Sequence, residues 1–359
     1  MKRIARTFLY ILLTAVLLLG GCGKEGRQEE QISEQESRKI QIGLSFDSFV
    51  IERWMRDRDV FVSTAHSLGA EVNVQNANGS VEEQISQIEY FIKKKMDAIV
   101  IIAIDGEALT DVVKKAKDEG IKVISYDRLI MNAGTDLYIS FDNEKVGKLM
   151  GEALKNALPE GGDIFAICGS QSDHNTQLVQ QGLDKALEDS GLQIVYSAYC
   201  DNWLAELAFD AVNQGLDEYD GGFDGKQEIK GIMCGNDDLA SQAIKALSEH
   251  RLAGKVAVVA QDADLSACQR IVEGTQEMTT YKPVDELAQT AAALSVALAK
   301  GEDITDKGAK LQVTDTMDDG SGEIPYYSID PVAVTAENMD KVIIESGFHL
   351  REDVYLNVK

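Results

Sequence analysis

The sequence predicts an α/β protein with two similar lobes, each built on a parallel sheet, and a cleft between them. From residue 40 onward, short β-branched runs alternate with longer stretches of helical periodicity. Several runs stop abruptly in polar residues, as residues 121–126 do at Asp127 and Arg128. Strands that alternate with helices pair in parallel through right-handed crossovers. Because ligands of such sheets bind outside the carboxyl ends of the strands, we expect these polar residues to converge on one site.

The first series of elements begins at residue 40. Its apolar runs predict strands over residues 40–46, 71–75, 98–103, 121–126 and 137–141. Helical periodicity fills the connections over residues 51–68, over residues 107–119, and over a stretch that opens at residue 80. The first helix stops at Gly69, and the second opens with a capping box formed by Ser80 and Glu83.

The second series has a similar length, which implies a second lobe of similar build. It predicts strands over residues 163–168, 193–198, 229–234, 256–260 and 278–281, and helices over residues 145–158, 176–189, 204–219, 239–250 and 266–272. A helix over residues 284–298 then covers the first sheet, residues 315–323 form a solvated loop, and residues 342–344 pack on the second lobe. The predicted lobes are therefore residues 40–142 with 283–325, and residues 143–282 with 326–359.

The composition fits an acidic protein that works outside the cell. The chain has 359 residues, 44% of them hydrophobic, and its formal net charge is −25. That length suggests more than one core. The acidity argues against a nucleic-acid partner, because phosphates require a basic surface.

The first 22 residues predict a lipoprotein signal peptide. A basic start is followed by an apolar stretch over residues 8–19, which is too short to span a bilayer comfortably. The stretch ends in Leu19-Gly20-Gly21-Cys22, which resembles the bacterial lipoprotein signal. The resemblance implies cleavage before Cys22 and lipid attachment to its thiol, which would anchor the protein to the outer side of the cell membrane. Residues 23–39 are polar and without periodicity, so they predict a flexible tether.

No cofactor or metal site is predicted. No glycine-rich phosphate-binding loop follows a predicted strand. The four histidines and the four cysteines after Cys22 lack ligand or redox spacing, and buried free thiols are the simpler interpretation. Asp127 and Asp262 could form the carboxylate pair of a glycosidase, although no Glu or His accompanies them. That enzyme is the alternative from a different functional class.

The polar residues at the predicted strand ends suit neutral hydroxyl groups. Asp127 and Asp262 can accept hydrogen bonds, Arg128 and Lys282 can donate them, and Asn236 can do both. Such a mixture can hold a hydroxyl from both sides, which favours a sugar ligand.

Two tryptophans are candidates for packing on a sugar ring. Trp54 and Trp203 each come shortly after a predicted strand, near the expected rim of the cleft. Flat aromatic faces pack on the apolar C–H faces of a pyranose. The alternative for either residue is a place in the hydrophobic core.

Several segments resemble bacterial D-xylose-binding proteins, in the same order along the chain. They are residues 51–54 (IERW) with 56–59 (RDRD), 75–79 (QNANG), 126–128 (YDR), 139–147 (ISFDNEKVG), 261–265 (QDADL) and 281–283 (YKP). The resemblance extends, with gaps, from residue 40 to residue 349. It implies the type I periplasmic-binding-protein fold, in which two Rossmann-like lobes joined by three crossover segments close on one sugar. It also implies a monomer that is a substrate-binding component of a sugar ABC importer.

The resemblance assigns roles to ten residues. Arg53, Asp127 and Arg128 would bind the sugar from the first lobe, and Trp54 and Trp203 would sandwich its ring. The contacts from the second lobe and the hinge would come from Asp173, Asn175, Asn236, Asp262 and Lys282. Simpler roles are a surface position for Arg53 and helix capping for Asp173 or Asn175.

The chain departs from the family pattern at three places. His174 and the residues just before Trp203 differ near the second-lobe contacts, and Asp105 replaces a neutral residue on a nearby loop. The expected ligand is D-xylose and the expected partner is a membrane permease. The alternative is a sensing receptor that passes its closed state to a histidine kinase or chemoreceptor.

Overall fold

Two mostly parallel sheets form the framework of the residues that the structure describes, 38–219 and 228–358. The structure is a computed structural model. The predicted signal peptide, the lipidation site Cys22 and residues 23–37 of the tether lie outside the described residues. Within the described part of the chain, no helix has the length and apolar character needed to cross a membrane.

The first sheet has seven strands in the order β11-β12-β5-β4-β3-β1-β2. Parallel pairing joins β1 to β3, β3 to β4, β4 to β5 and β5 to β12, whereas β11 pairs antiparallel with β12. The strands are β1 (Ile40–Phe46), β2 (Ala70–Asn76), β3 (Ala98–Ile101), β4 (Lys122–Tyr126), β5 (Leu137–Phe141), β11 (Asp315–Asp318) and β12 (Glu323–Ile329).

The second sheet has six strands in the order β13-β10-β9-β8-β6-β7. All its pairs are parallel except that of β10 with β13. The strands are β6 (Gly162–Cys168), β7 (Leu192–Tyr199), β8 (Gly231–Cys234), β9 (Ala257–Gln261), β10 (Met278–Tyr281) and β13 (Val332–Val334).

Helices connect these strands. They are α1 (Arg53–Ser67), α2 (Val81–Lys94), α3 (Thr110–Asp118), α4 (Asn143–Ala157), α5 (His174–Leu187), α6 (Glu206–Tyr219), α7 (Asp237–Glu249), α8 (Leu265–Glu273), α9 (Val284–Ala299) and α10 (Arg351–Val354), with a 3₁₀ turn at Asp201–Trp203 and a π-helical turn at Asp340–Ile344. As predicted, α9 returns to the first sheet and packs on α1, β3 and β4. The predicted packing of residues 342–344 on the second lobe is also observed, because Ile343 is buried with Ala263 and Val334.

The chain passes between the two sheets three times. It leaves the first sheet after β5, returns between β10 and α9, and leaves again between β12 and β13. The predicted fold class, two α/β lobes built on parallel sheets and joined by three segments, is therefore confirmed. The last crossing follows Ile329, a few residues after the predicted boundary at residue 325, because β12 stays paired with β5 as far as Ile329. The other lobe boundaries stay a prediction.

Local sequence explains where α2 begins and how closely α4 and α5 pack. Ser80 caps α2 by accepting a hydrogen bond from the Glu83 amide, as the capping box predicts. Helices α4 and α5 cross in direct contact at two glycines. A Cβ atom on Gly147 would lie 1.8 Å from the carbonyl oxygen of Val179, so no larger residue fits there.

Two predictions about local structure were wrong. Residues 315–323 form a strand and a tight turn rather than a simple loop, because the buried carboxylate of Asp319 accepts hydrogen bonds from the amides of Ala133 and Gly134. The helix predicted from residue 107 begins at Thr110, because Asp105 accepts the amide of Glu107 in a preceding turn.

Candidate functional site

A polar cavity lies between the carboxyl ends of the two sheets. Ten of its lining residues are the predicted site residues: Arg53, Trp54, Asp127, Arg128, Asp173, Asn175, Trp203, Asn236, Asp262 and Lys282. Ile51, Asn143 and Gln261 complete the lining.

Arg53 connects two carboxylates at the start of α1. Its Nη2 donates to Asp127 Oδ2 at 2.8 Å and to Asp57 Oδ1 at 3.2 Å, and its Nε donates to Asp57 Oδ2 at 3.3 Å. Asp57 lies one helical turn after Arg53 and also accepts the hydroxyl of Tyr126. Asp57, which does not line the cavity, therefore holds the guanidinium in place beside Asp127.

Arg128 connects the two lobes. Its Nη1 donates to Asp47 Oδ2 at 2.8 Å, just after β1, and to the carbonyl of Ala103 at 3.0 Å. Its Nε lies 2.9 Å from Oδ2 of Asp173, the capping residue of α5 on the other sheet. The same Asp173 oxygen accepts Nε1–H of Trp203 at 3.1 Å. One guanidinium thus bridges carboxylates from both lobes.

Asp127 also joins the lobes through its backbone. Its backbone has φ 63°, a left-handed conformation that is uncommon for a residue with a side chain. Its carbonyl oxygen accepts hydrogen bonds from Ser140 at 2.6 Å, Tyr138 at 3.2 Å and Asn175 at 3.0 Å. These bonds hold the turn after β4 in place and present the carboxylate to the cavity.

Lys282 forms the third charged contact at the cavity, with Asp262. Its Nζ lies 2.7 Å from Asp262 Oδ1 and donates to Gln261 Oε1 at 3.0 Å. The Asp262 contact is an ion pair without hydrogen-bond geometry, so this buried oxygen accepts no hydrogen bond from the described residues. Gln261 in turn donates to the carbonyl of Gly235 at the end of β8.

The two tryptophans are buried but still line the cavity. The Arg53 guanidinium lies 4.4 Å from the ring centroid of Trp54, and Nε1 of Trp54 has no hydrogen-bond partner among the described residues. The six-membered ring of Trp203 packs against Gly169, where an added Cβ would come within 2.2 Å of it. Each tryptophan therefore belongs both to a core and to the cavity wall, which unites the two alternatives that the sequence left open.

Burial and charge act against each other in this site. Burial raises the pKa of Asp127, but the charges of Arg53, Lys282 and Arg128 outweigh that effect and leave the pKa below its usual range. For Asp47, Asp57 and Asp173, burial dominates and raises the pKa despite the neighbouring arginine. These four carboxylates therefore differ in the direction of their pKa shift.

Metal and thiol chemistry have no support in the described residues. No group of three or more His, Cys, Asp or Glu side chains there could hold a metal ion. Cys168, Cys200, Cys234 and Cys268 are buried and free, and burial raises the pKa of each thiol. A raised pKa keeps a thiol protonated and unreactive at neutral pH.

Comparison with known proteins assigns the chain to a family. The periplasmic binding protein domain matches residues 42–303. The chain belongs to the periplasmic binding protein family. It is 42% identical over 327 residues to the D-xylose-binding periplasmic protein of Haemophilus influenzae, covering 90% of this chain and 94% of that protein. It is 41% identical over 322 residues to the protein of the same name from Escherichia coli, covering 89% and 93%.

A solved structure is similar in fold. It is an ABC transporter solute binding protein from Clostridium phytofermentans with bound β-D-glucose, 28% identical, with a TM-score of 0.78 over 88% of this chain and 99% of that one. The resemblance to D-xylose-binding proteins read from the sequence is therefore confirmed. The matched family and both relatives are named as binding proteins.

In this periplasmic binding protein, the structure brings all ten predicted residues to one cavity, while their roles in binding stay a prediction. Sequence reasoning missed Asp47 and Asp57, which hold the two arginines from behind. Asp57 could have been found from its spacing of four residues from Arg53, whereas nothing local marks Asp47. Asp105 and His174 do not line the cavity.

Proposed function

We propose that this protein is a receptor that closes its two lobes on a single neutral monosaccharide, D-xylose first, and delivers it to an ABC permease. The observation that supports this most is the alternation of carboxylates and cations around one small cavity between the lobes. A hydroxyl group is both donor and acceptor, so it can lie between a carboxylate and a guanidinium or ammonium. The similarity to two D-xylose-binding proteins favours the pentose.

The cavity wall supports a sugar rather than a charged or apolar ligand. Trp54 and Trp203 offer apolar surface for the C–H groups of a pyranose ring. Nε1 of Trp54 is a buried donor that a ligand oxygen can satisfy. The bulk of the two tryptophans in this wall would disfavour the extra hydroxymethyl group of a hexose.

We also propose that lipid on Cys22 anchors the receptor to the outer side of the membrane. The support is the Leu19-Gly20-Gly21-Cys22 segment after a short apolar stretch. In cells that express the full chain, Cys22→Ser is expected to abolish labelling by a radioactive fatty acid and to release the protein from the membrane fraction. Equal labelling of both forms would contradict the anchor.

A ligand panel tests the receptor function. Because a ligand that binds only the folded protein stabilises it, D-xylose at about one hundred times its Kd is expected to stabilise the protein by roughly 2.7 kcal/mol. Thermal unfolding with ribose, arabinose, glucose and galactose should show smaller shifts. A pentose epimer leaves a buried polar group without its hydroxyl, and a hexose must place an extra hydroxymethyl group against the tryptophans. No shift with any sugar would refute the receptor, and a larger shift with another sugar would change the ligand.

An aryl xyloside tests the glycosidase alternative. A glycosidase would release the chromophore from an aryl xyloside, whereas the proposed receptor should leave it intact over many hours. Sustained release that disappears in Asp127→Asn would favour the enzyme.

Trp203 tests the contribution of the aromatic wall. Trp203→Ala is expected to weaken D-xylose binding by about 1–3 kcal/mol, because the sugar loses a flat apolar surface. Calorimetry on this variant and on Trp203→Phe, which keeps an aromatic ring but loses the Nε1–H donated to Asp173, separates the ring from the hydrogen bond. Unchanged affinity in both variants would make Trp203 a core residue only.

A further inference from the structure

The turn that presents Asp262 to the cavity has an unusual backbone. Directly after β9, Asp262 has φ 102° and Ala263 has φ 56°. Two successive non-glycine residues with positive φ are unfavourable, and such a conformation persists only where surrounding groups hold it. Neighbouring groups must therefore hold this turn. It places the Asp262 carboxylate within ion-pair distance of Lys282.

Each of the three backbone amides in this turn has a defined acceptor. The amide of Asp262 donates to the carbonyl of Thr280 at 2.9 Å. The amide of Ala263 donates to the hydroxyl oxygen of Thr279 at 3.0 Å, and the amide of Asp264 donates to Oδ2 of Asp237 at 3.1 Å. The Thr279 hydroxyl donates to that same Asp237 oxygen at 2.6 Å. Thr279 and Asp237 thus form one clamp on two neighbouring amides.

Asp237 is itself fixed. It begins α7, it is fully buried, and it does not line the cavity. Its Oδ1 accepts Nε2–H of Gln276 at 2.8 Å, so both carboxylate oxygens accept hydrogen bonds from buried donors. Arg270 donates to the side chain of Gln276 and lies with Nη2 at 3.3 Å from the Asp237 carbonyl. An amide at position 237 would direct its own N–H groups at one of these donors, so the position requires a carboxylate.

We infer that Asp237, acting through Thr279, is a positioning residue that sets the affinity for the sugar by holding Asp262 against Lys282. This inference rests on the proposed receptor function and adds to it a residue outside the cavity. It predicts that loss of the clamp lets the turn after β9 relax and moves the Asp262 carboxylate away from the ligand. The rest of the cavity, including the arginines of the first lobe, should remain as it is.

A double-mutant cycle tests whether Asp237 acts through Asp262. Calorimetric Kd values for D-xylose are measured for the full mature chain and for Asp237→Asn, Asp262→Asn and the double variant. Asp237→Asn alone is expected to raise Kd about tenfold or more, whereas in the presence of Asp262→Asn it should change Kd by less than about twofold. The control is Asp47→Asn, which removes a buried carboxylate that contacts Arg128 and not the turn at Asp262. The fold-changes in Kd caused by Asp47→Asn and by Asp262→Asn should multiply in the double variant.

A second pair of variants keeps the test decisive if Asp237→Asn does not fold. Thr279→Val removes the hydroxyl at similar volume and should weaken binding, while Thr279→Ser keeps the hydroxyl and should restore it. Equal affinities for the Val and Ser variants, or an Asp237→Asn effect that multiplies with Asp262→Asn, would overturn the inference. If the unmodified chain binds no sugar, the proposed function fails instead.

Discussion

Replacing Asp262 with alanine is expected to weaken D-xylose binding by about 3–5 kcal/mol, which is roughly two to three and a half orders of magnitude in Kd. The change removes one acceptor for the sugar and the ion-pair partner of Lys282, whose Nζ lies 2.7 Å from Asp262. In an open receptor Lys282 would keep its water. The cost of an unpaired buried ammonium therefore falls on the closed, ligand-bound state.

Calorimetry with D-xylose measures this effect, and an exposed ion pair provides the control. Asp330 pairs with Lys145 at 2.6 Å on the surface, so Asp330→Ala makes the same chemical change where water replaces the partner. Its Kd should match that of the unmodified protein. Equal Kd values for the Asp262 and Asp330 variants would mean that Lys282 and Asp262 contribute nothing to binding.

Replacing Arg128 with methionine is expected to cost about 3–5 kcal/mol of closed-state stability, because two buried carboxylates lose their shared cation. Asp47 and Asp173 both lie within 3 Å of the guanidinium, one from each lobe. The thermal shift produced by saturating D-xylose should disappear or fall sharply. The matched control is Arg58→Met, since Arg58 pairs with Asp59 near the surface.

The pH dependence of the Arg128 variant gives a second readout. Burial already raises the pKa of Asp47 and of Asp173, and loss of the arginine charge raises both further. The closed state then holds protons that the open state releases, so closure becomes more favourable as the pH falls. Binding by Arg128→Met should improve as the pH is lowered from neutral, while the Arg58 variant should show no such gain. A flat profile would show that the two carboxylates do not oppose closure.

The strands that meet the cavity could be recognised from the sequence because their signals are local. Buried parallel strands are continuous apolar runs, and the polar residues that end them, such as Asp127 and Asp262, lie at the carboxyl ends of β4 and β9. The β11–β12 hairpin was missed because its first strand is mostly exposed and polar, so no apolar run marks it. The hairpin joins the first sheet through the pairing of β12 with β5 and through the buried Asp319, which accepts a hydrogen bond from the amide of Ala133.

The sequence by itself determined the alternation of strands and helices and the two-lobe fold class, because periodicity, caps and strand ends are short-range properties of the chain. Strand ends also marked Asp127 and Asp262, whereas Arg53, Asp173 and Asn175 were predicted only from the resemblance to D-xylose-binding proteins. The tertiary structure alone decided which carboxylates Arg128 contacts. Asp47 lies 81 positions away in the chain, and Asp173 belongs to the other lobe. It also decided that Asp237 and Thr279 hold the turn that carries Asp262. Such contacts depend on distances between elements far apart in the chain, and no local pattern of residues encodes them.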